Sequence, residues 1–524
     1  MVMEMEAADP PAKKRRTEAP HVRQESGTIL TASPQEMHLP SAPAGTNGPP
    51  HLGPTSEPPE ESHGQEPLPG AAARGEEGED AGGVDYISRL PDAILGEIIS
   101  LLPTKAGART QILASRWRRL WLSAPLNLDL SDARVYGVAL SSLISRILNE
   151  HPGPARCFSI PLRPGDSDWC PETVDAWLRS PALDNLQDLE LAIKMYHHGC
   201  PLPASAFRSS ATLHVVTIRG CRIEDGMVET LCFPRLRKLA LVEVEISGGS
   251  LNSIIAGCPV VECLLLKTIR FSYDFLLRDV SLRINSPSLI SFGFGLYLRE
   301  LIIEDAPSLK RLLPLSSHTH FIDHVSVISA PNLEIVGIIY ESKYSKLTFG
   351  DTVIQGLHVL NCTTGLSSIK SLAIANDKLD LELVINLMQC FPHLENLYIK
   401  MSNKSWGKNL WRRKYHNGHI KYLNIRLKTI VLRNYRGIKS QASFATFFIL
   451  NAKMLQVMRF EGGSYKDDDA EFIARQHRLL QLEKRASRGA QFEFSTIICH
   501  CDDQAHIKHV HDLSKSDDPF KCTC

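Results

Sequence analysis

The decisive stretch of this sequence is Pro234-Arg235-Leu236-Arg237-Lys238-Leu239-Ala240-Leu241, whose apolar spacing recurs along the middle of the chain. The recurring unit is L-x-x-L-x-L, often introduced by a proline two positions earlier. Its other copies contain Leu186, Leu189, Leu191; Leu213, Val216, Ile218; Val261, Leu264, Leu266; Leu289, Phe292, Phe294; Leu298, Leu301, Ile303; Leu333, Val336, Ile338; Ile369, Leu372, Ile374; and Leu394, Leu397, Ile399. Most copies are separated by roughly 20 to 28 residues, and this spacing, with alternation at the fourth and sixth positions, predicts short strands that stack into a parallel sheet.

A helical unit is predicted upstream of the repeats, where the composition changes abruptly at residue 84. Its first helix carries apolar residues at positions 94, 95, 98, 99, 101 and 102, which fall on one broad stripe. Pro91 suits the opening of this helix, and Pro103 stops it. A second helical stretch follows, and a third places Trp117, Leu120 and Trp121 on one face. The unit closes at residue 125.

The order of Leu-Pro, amphipathic helix, Leu-Pro, short helix and Ser-Arg-Trp-Arg-x-Leu-Trp resembles the F-box, in the plant form that precedes leucine-rich repeats. The resemblance implies that this unit docks a Skp-family adaptor, and through it a cullin ubiquitin ligase. Ala106 departs from the family, whose members often carry an acidic residue early in the second helix. The adaptor-facing positions implied by the resemblance are Leu90, Pro91, Ile94, Leu95, Ile98, Leu102, Ile112, Leu113 and Trp117.

The region after the repeats predicts one more strand at Leu427, Ile430 and Leu432, followed by alternating helices and strands. The expected elements are a helix at 444–452, a strand at 455–460, a charged helix at 470–488 and a strand at 492–494. This order resembles the FBD domain that follows the repeats in plant F-box proteins. The closing His511-Asp512-Leu513 also resembles that family.

We therefore expect a multi-domain α+β protein. Residues 1–83, rich in Pro, Gly, Ala and Glu, should form a disordered tail, because they cannot bury enough apolar area to order the chain. An all-α F-box should occupy 84–125, an α/β leucine-rich-repeat solenoid 126–425, and an α/β FBD unit capping it 426–498. Residues 499–524 form a tail rich in Cys and His.

The overall composition excludes several classes of protein. Lys and Arg total 58, as do Asp and Glu, so net charge favours neither nucleic acid nor an anionic membrane as the main partner. No stretch reaches the ~18 apolar residues of a membrane span, and we expect a protein of the nucleus and/or the cytoplasm. The thirteen cysteines are scattered, mostly in apolar runs such as those around Cys258, Cys263 and Cys390, which predicts buried thiols rather than disulfides.

Three motifs have both a functional and a plain interpretation. The run Lys13-Lys14-Arg15-Arg16 resembles a nuclear-import signal, or is a solvated charge run. The cluster Trp406, Trp411, Arg412 and Arg413 fits an exposed loop between repeats or part of a substrate-binding surface. The tail contains Cys499, His500, Cys501, His506, His509, His511, Cys522 and Cys524, but its C-x-C spacing does not favour zinc. We expect the tail to be free of metal, with histidines that are incidental or pack on the FBD unit.

The motifs of catalysis and cofactor binding are absent from the sequence, which contains no P-loop, no complete dinucleotide fingerprint and no G-x-S-x-G elbow. We expect a non-catalytic substrate adaptor without cofactors, whose repeats and FBD unit bind an unknown protein target. The alternative is a nuclear interaction scaffold without ligase coupling, contacting protein or nucleic acid. Salt dependence separates the two, because phosphate contacts weaken steeply with added salt.

Overall fold

The computed structural model describes residues 86–130, 138–151, 154–160, 171–193, 200–271, 280–315, 322–341, 345–363, 365–376, 380–401, 425–462, 470–496, 507, 509–515 and 518. All of these residues lie in the larger of the two units of the chain, residues 83–524. None of the described helices has both the length and the apolar composition needed to cross a bilayer.

Three helices open the described chain: α1 (Asp92–Ser100), α2 (Thr104–Arg109), which runs into a 3-10 turn (Thr110–Ile112), and α3 (Ser115–Ser123). We call residues 86–124 the helical unit. Pro91 and Pro103 stand at the N-caps of α1 and α2 with φ of -57° and -54°, because the ring of proline presets that angle and needs no hydrogen-bond partner there. The first helix ends at Ser100, since the residue before a proline disfavours helical backbone.

Strands dominate the rest of the described chain. In chain order they are β1 (Leu126–Asp129), β2 (Ala155–Ile160), β3 (Asp188–Ala192), β4 (Cys200–Pro201), β5 (Val215–Arg219), β6 (Cys221–Arg222), β7 (Lys238–Val242), β8 (Glu245–Ile246), β9 (Cys263–Phe271), β10 (Ser281–Asn285), β11 (Ser291–Leu296), β12 (Leu298–Asp305), β13 (Arg311–Pro314), β14 (Ile322–Val327), β15 (Ile335–Tyr340), β16 (Lys346–Phe349), β17 (Thr352–Gln355), β18 (His358–Asn361), β19 (Ser371–Asn376), β20 (Asn396–Met401), β21 (Thr429–Arg433), β22 (Val457–Glu461) and β23 (Gln491–Ser495). The helices between and after them are α4 (Val138–Glu150), α5 (Pro171–Leu178), α6 (Gly248–Ala256), α7 (Leu381–Gln389), α8 (Lys439–Asn451), α9 (Ala470–Leu479) and α10 (Asp512–Lys515).

The main sheet is a parallel ladder in which each strand pairs with the next. It runs through β1, β2, β3, β5, β7, β9, β11, β13, β15, β19, β20, β21, β22 and β23. The fourth position of the L-x-x-L-x-L unit is in register throughout: Leu128, Phe158, Leu189, Val216, Leu239, Leu264, Phe292, Leu312, Val336, Leu372, Leu397, Ile430, Met458 and Phe492 are successive partners. The predicted parallel sheet of repeats is confirmed.

One predicted repeat strand lies elsewhere. The strand with Leu298, Leu301 and Ile303 is β12, which pairs with β10 and β14 in a second sheet of six strands. The next strand of the main sheet is instead β13, with Leu312 at the ladder position. The prediction of this strand as part of the main sheet was wrong because both sheets point alternate residues into one shared core. Leu301 and Phe292 therefore show the same apolar alternation.

The region predicted as an FBD unit continues the main sheet. Its first strand, β21, pairs with β20 of the repeats, and β22 and β23 follow in parallel. The helix expected to reach residue 488 ends at Leu479, because Gln481 adopts left-handed backbone with a φ of 52°. Strands β1 and β2 extend the ladder at its other end, within the predicted solenoid but before the first individual copy identified in the sequence, which begins at Leu186.

The main sheet is apolar on both faces, as parallel sheets are when both sides are covered. Leu264 and Leu266 of β9 point into the large core, whereas Cys263 and Leu265 point to the opposite side. We call this opposite side the second face; it is lined by Ala240, Val242, Cys263, Leu265, Leu313, Ile335, Ile338, Ala373, Tyr398 and Val431.

The three cysteines singled out in the sequence are buried, as predicted. Burial raises the pKa of Cys258 to about 12, because the charged thiolate loses its hydration. These thiols are therefore small hydrophobes rather than nucleophiles.

Candidate functional site

Exposed apolar side chains concentrate in the helical unit. Among the described residues, eight of the thirteen large hydrophobic side chains exposed to solvent lie within it: Tyr86, Ile87, Ile94, Ile98, Leu101, Ile112, Leu113 and Leu122. The buried core of the unit contains only Leu95, Ile99, Trp117, Leu120 and Ala124. More large apolar residues thus face solvent than face this core, which marks a surface for a partner.

The adaptor-facing residues expected from the sequence divide into two groups. Ile94, Ile98, Ile112 and Leu113 are 48%, 40%, 83% and 64% exposed. Pro91 is also exposed, and Leu90 and Leu102 are half-buried.

The prediction that Leu95 and Trp117 face a partner is corrected by the structure, in which both are buried. The apolar stripe of α1 is broad enough to split, so that Leu95 and Ile99 pack on α3 while Ile94 and Ile98 remain outside. Tyr86, Ile87, Leu101 and Leu122 belong to the exposed set and were missed. For Leu101, the signal was its place in the same apolar run.

The guanidinium of Arg116 ties α3 to the start of the helical unit. Its Nε donates to Oδ1 of Asp92 at 2.6 Å, its Nη1 to the carbonyl of Ser88 at 2.7 Å, and its Nη2 to the carbonyl of Leu90 at 2.6 Å. The planar fork of arginine suits several fixed acceptors at once. These three hydrogen bonds of Arg116 form a clamp that positions the backbone carrying Leu90 and Pro91. The sequence motif alone did not reveal this role.

Arg116→Ala is expected to loosen residues 86–92 without unfolding the repeats. The loss of three charge-assisted hydrogen bonds in a partly exposed setting should destabilise this segment by about 1 to 2 kcal/mol. Hydrogen exchange read by mass spectrometry should show faster exchange in residues 86–100. Arg119→Ala, an exposed change on the same helix, is the matched control and should leave exchange unchanged; equal effects of the two variants would contradict the clamp.

The helical unit is joined to the first repeat by specific contacts. Thr104 Oγ1 donates to the carbonyl of Asn127 in β1 at 2.8 Å. The ring of Trp121 fits against Gly107, where a Cβ would lie 2.5 Å from its Cζ3. His151 meets the same ring edge-on at a centroid distance of 5.6 Å, and its Nε2 lies 3.2 Å from the carbonyl of Trp121. Trp121 therefore links two cores rather than closing one.

The C-terminal segment, residues 507 and 509–515, covers part of the second face. Ile507, Val510 and Leu513 are buried in the same apolar cluster as the strands beneath them. Leu513 lies over Gly293 of β11, where a Cβ would stand 2.6 Å from its Cδ2. A side chain at position 293 would therefore displace this leucine.

Polar contacts anchor the same segment. Nδ1 of His509 lies 3.6 Å from Oε1 of Glu190 in β3, and Nζ of Lys238 in β7 lies 2.9 Å from Nδ1 of His511. The interpretation of these histidines as incidental or packed on the FBD unit is wrong, because both contact repeat strands. The close polar contact with His509 lowers the pKa of Glu190, and the same contact raises the pKa of His509.

The contact of His509 with Glu190 is expected to weaken as pH rises. Since the pKa of His509 is raised above its ordinary 6.5, the stabilisation is fully present below that value and is lost as pH rises through the raised one. Glu190 and Asp512 favour the charged imidazole, whereas Arg219 opposes it. Because His509 is half-exposed, the effect is at most about 1 kcal/mol.

Chemical unfolding of wild type and His509→Gln at about pH 6 and about pH 8 measures this effect. The stability difference should be larger at the lower pH. His477→Gln, an exposed histidine on α9, serves as the control. A difference that is equal at both pH values would contradict the pairing.

The second face becomes charged where it reaches β21 and β22. Nε of Arg433 donates to Oε2 of Glu461 at 3.1 Å, and the two side chains are 8% and 9% exposed. Burial raises the pKa of Glu461, and the carboxylate of Asp518 acts in the same direction. Burial also lowers the pKa of Lys400 on β20. This end of the face therefore carries desolvated charged groups, of which Arg433 and Glu461 form an ion pair.

Several predicted sites lie outside the described residues. They are Lys13, Lys14, Arg15, Arg16, Trp406, Trp411, Arg412, Arg413, Cys499, His500, Cys501, His506, Cys522 and Cys524. Within the part of the chain that the structure describes, no three His, Cys, Asp or Glu residues come together as a metal site would require.

Comparison with known proteins relates these surfaces to a family. Residues 174–399 match the family described as FBD-associated F-box protein At5g56370, LRR repeats, and residues 417–460 match the FBD family. The chain is 28% identical over 310 residues to F-box/FBD/LRR-repeat protein At5g22700 of Arabidopsis thaliana, covering 56% of this chain and 68% of that protein. It is 24% identical over 422 residues to FBD-associated F-box protein At5g56370 of the same plant, covering 78% and 98%. The resemblance expected from the sequence is confirmed.

Proposed function

Since this chain belongs to the plant family of F-box proteins that carry leucine-rich repeats and an FBD domain, we propose that it is the substrate-recognition adaptor of an SCF-type ubiquitin ligase complex. The helical unit binds a Skp-family adaptor, and through it a cullin. The repeats and the FBD region bind the protein to be ubiquitinated. We place this activity in the nucleus and/or the cytoplasm.

The observation that carries the proposal is the imbalance within the helical unit, where eight large apolar side chains are exposed over a core of five buried residues. A unit of about forty residues cannot bury so much aliphatic surface by itself. Each aliphatic side chain buried in a partner contributes about 1.5 to 3 kcal/mol, and several together offset the entropy lost on association.

The proposed mechanism is proximity rather than chemistry. The adaptor-binding surface and the first repeat are linked through Thr104, Trp121 and His151, so a target held by the sheet keeps a defined relation to the helical unit. A tether of this kind raises the effective concentration of target lysines near the conjugating enzyme. The chain contributes specificity and supplies no nucleophile.

Affinity capture from plant cells with the proteasome blocked tests this function. The full chain should capture a Skp-family adaptor and a cullin, whereas the double variant Ile112→Asp with Leu113→Asp should lose both and retain other captured proteins. Adaptor binding should change little with added salt, while nucleic-acid binding by a scaffold would weaken steeply. Capture of the adaptor by the double variant at the wild-type level would contradict the proposal.

A further inference from the structure

The C-terminal segment makes the kind of contacts with the second face that a bound peptide makes. Its three buried side chains, Ile507, Val510 and Leu513, recur every three residues and enter one apolar cluster formed by several strands. Only Leu513 lies within α10 (Asp512–Lys515), so Ile507 and Val510 reach the cluster from backbone that is not helical.

The sheet is shaped for one of these anchors. Gly293 lies at the centre of β11, a position where a strand gains nothing from glycine unless another group must approach closely. A Cβ at Gly293 would stand 2.6 Å from Leu513 and 3.3 Å from the side chains of both Leu265 and Leu315. The missing side chain thus leaves a notch that the leucine fills.

Polar groups fix the direction of the segment across the strands. His509 pairs with Glu190 of β3, and His511 meets Lys238 of β7, while Leu513 reaches β11. The oxygen Oε2 of Glu190 is already held by Ser159 Oγ at 2.9 Å, so its other oxygen is oriented toward the segment. An apolar surface with one oriented carboxylate is suited to bind a peptide that has aliphatic side chains and one cationic side chain.

The segment itself has little structure that is independent of the sheet. Its helix, α10, contains four residues, too few to be stable without tertiary contacts. It is joined to the rest of the chain through the region after β23, the last strand of the ladder, and it lies over β9 and β11. It is therefore a tethered occupant held by side chains, which a competitor with the same side chains can replace.

We propose that the second face is the target-binding surface of the repeats, and that residues 507 and 509–515 occupy it in cis as an autoinhibitory ligand until a target displaces them. This inference rests on the proposed function. The matching target segment is a short peptide with aliphatic residues three apart and a basic side chain that reaches Glu190. The C-terminal segment competes with a target for the second face. Only a target segment that binds this face more tightly than the C-terminal segment is therefore recruited.

The test uses a fluorescent peptide with the sequence of residues 505–518 as the probe. In the full chain, Val510→Asp with Leu513→Asp should release the internal segment and let the peptide bind at least about 10-fold more tightly than to wild type, because the competing tether is removed. Ser514→Asp, an exposed position of the same helix, is the matched control and should bind like wild type. We call the double variant Val510→Asp with Leu513→Asp the opened variant. Adding Gly293→Val to it should fill the notch at position 293 and abolish peptide binding.

A second measurement covers the case in which the opened variant does not fold. In wild type, saturating peptide should speed hydrogen exchange of residues 509–515, since the cis segment leaves the face. Equal peptide binding by wild type and the opened variant, no binding by a folded opened variant, or unchanged exchange in wild type would each overturn the inference. Adaptor capture by the same proteins reports separately on the helical unit, so failure of the proposed function is distinguishable.

Discussion

Ile98→Asp in the full chain is expected to abolish co-purification with a Skp-family adaptor. Ile98 is 40% exposed on α1, beside Ile94 in the exposed half of the apolar stripe. Burying a carboxylate where an aliphatic anchor should be removes about 1.5 to 3 kcal/mol of apolar contact and adds the desolvation of a charge, together more than about 100-fold in affinity. A pull-down with purified adaptor measures the loss.

Leu360→Asp is the matched control, because Leu360 is also an exposed aliphatic residue but lies on β18, outside the helical unit. It should retain the adaptor. Ile98→Asp should keep the circular dichroism of wild type, since an exposed helical position tolerates the change at less than about 1 kcal/mol. Undiminished capture by folded Ile98→Asp would rule out this part of the docking surface.

Trp117→Ala should also lose the adaptor, but for another reason. Trp117 is buried in the core of the helical unit, and truncating such a residue costs about 3 to 5 kcal/mol. The loss of binding should therefore accompany faster hydrogen exchange throughout residues 92–123, which Ile98→Asp should not show. The same binding result with different exchange patterns separates a contact residue from a supporting one.

Glu461→Ala is expected to cause a large loss of stability in the region of β21 and β22. This substitution takes the carboxylate of Glu461 away from the guanidinium of Arg433, whose side chain is 8% exposed. Breaking a buried ion pair by removing one partner destabilises a protein by about 3 to 5 kcal/mol. Urea unfolding followed by fluorescence and circular dichroism should show a lower midpoint for the region that contains β21 and β22.

Two controls define this effect. Glu493→Ala removes an exposed partner from the neighbouring pair with Arg459, at 2.9 Å, and should change stability by less than about 1 kcal/mol. The double variant Arg433→Met with Glu461→Leu removes both buried charges and should recover most of the stability. If Glu461→Ala and Glu493→Ala behave alike, Arg433 and Glu461 are not a desolvated pair in solution.

The sequence predicted most of the parallel sheet because the ladder residues from Leu189 to Met458, except Leu312, are specified by the chain around them. A strand's apolar period is a local property, and the repeat spacing sets the pairing of successive strands. The assignment of β12 failed because two sheets share one core. Its alternation shows which residues are buried but not which sheet they join.

The candidate surfaces were predictable in part for a related reason. The apolar stripe of α1 was evident, but the side of it that packs on α3 depends on a tertiary contact, so Leu95 and Ile94 could not be told apart. The seat of Leu513 on Gly293 joins residues more than two hundred positions apart. No local pattern encodes it. Continuous apolar runs such as Leu264-Leu265-Leu266 were a local signal that the second face needs a cover.

Calorimetric titration of the purified full chain with a Skp-family adaptor at several temperatures tests directly whether the helical unit docks that adaptor. We expect one-to-one binding with a negative change in heat capacity, because the exposed aliphatic side chains of the helical unit leave water on docking. Affinity should be nearly independent of salt. Absence of binding, or binding that Ile98→Asp and Ile112→Asp with Leu113→Asp leave intact, would contradict it.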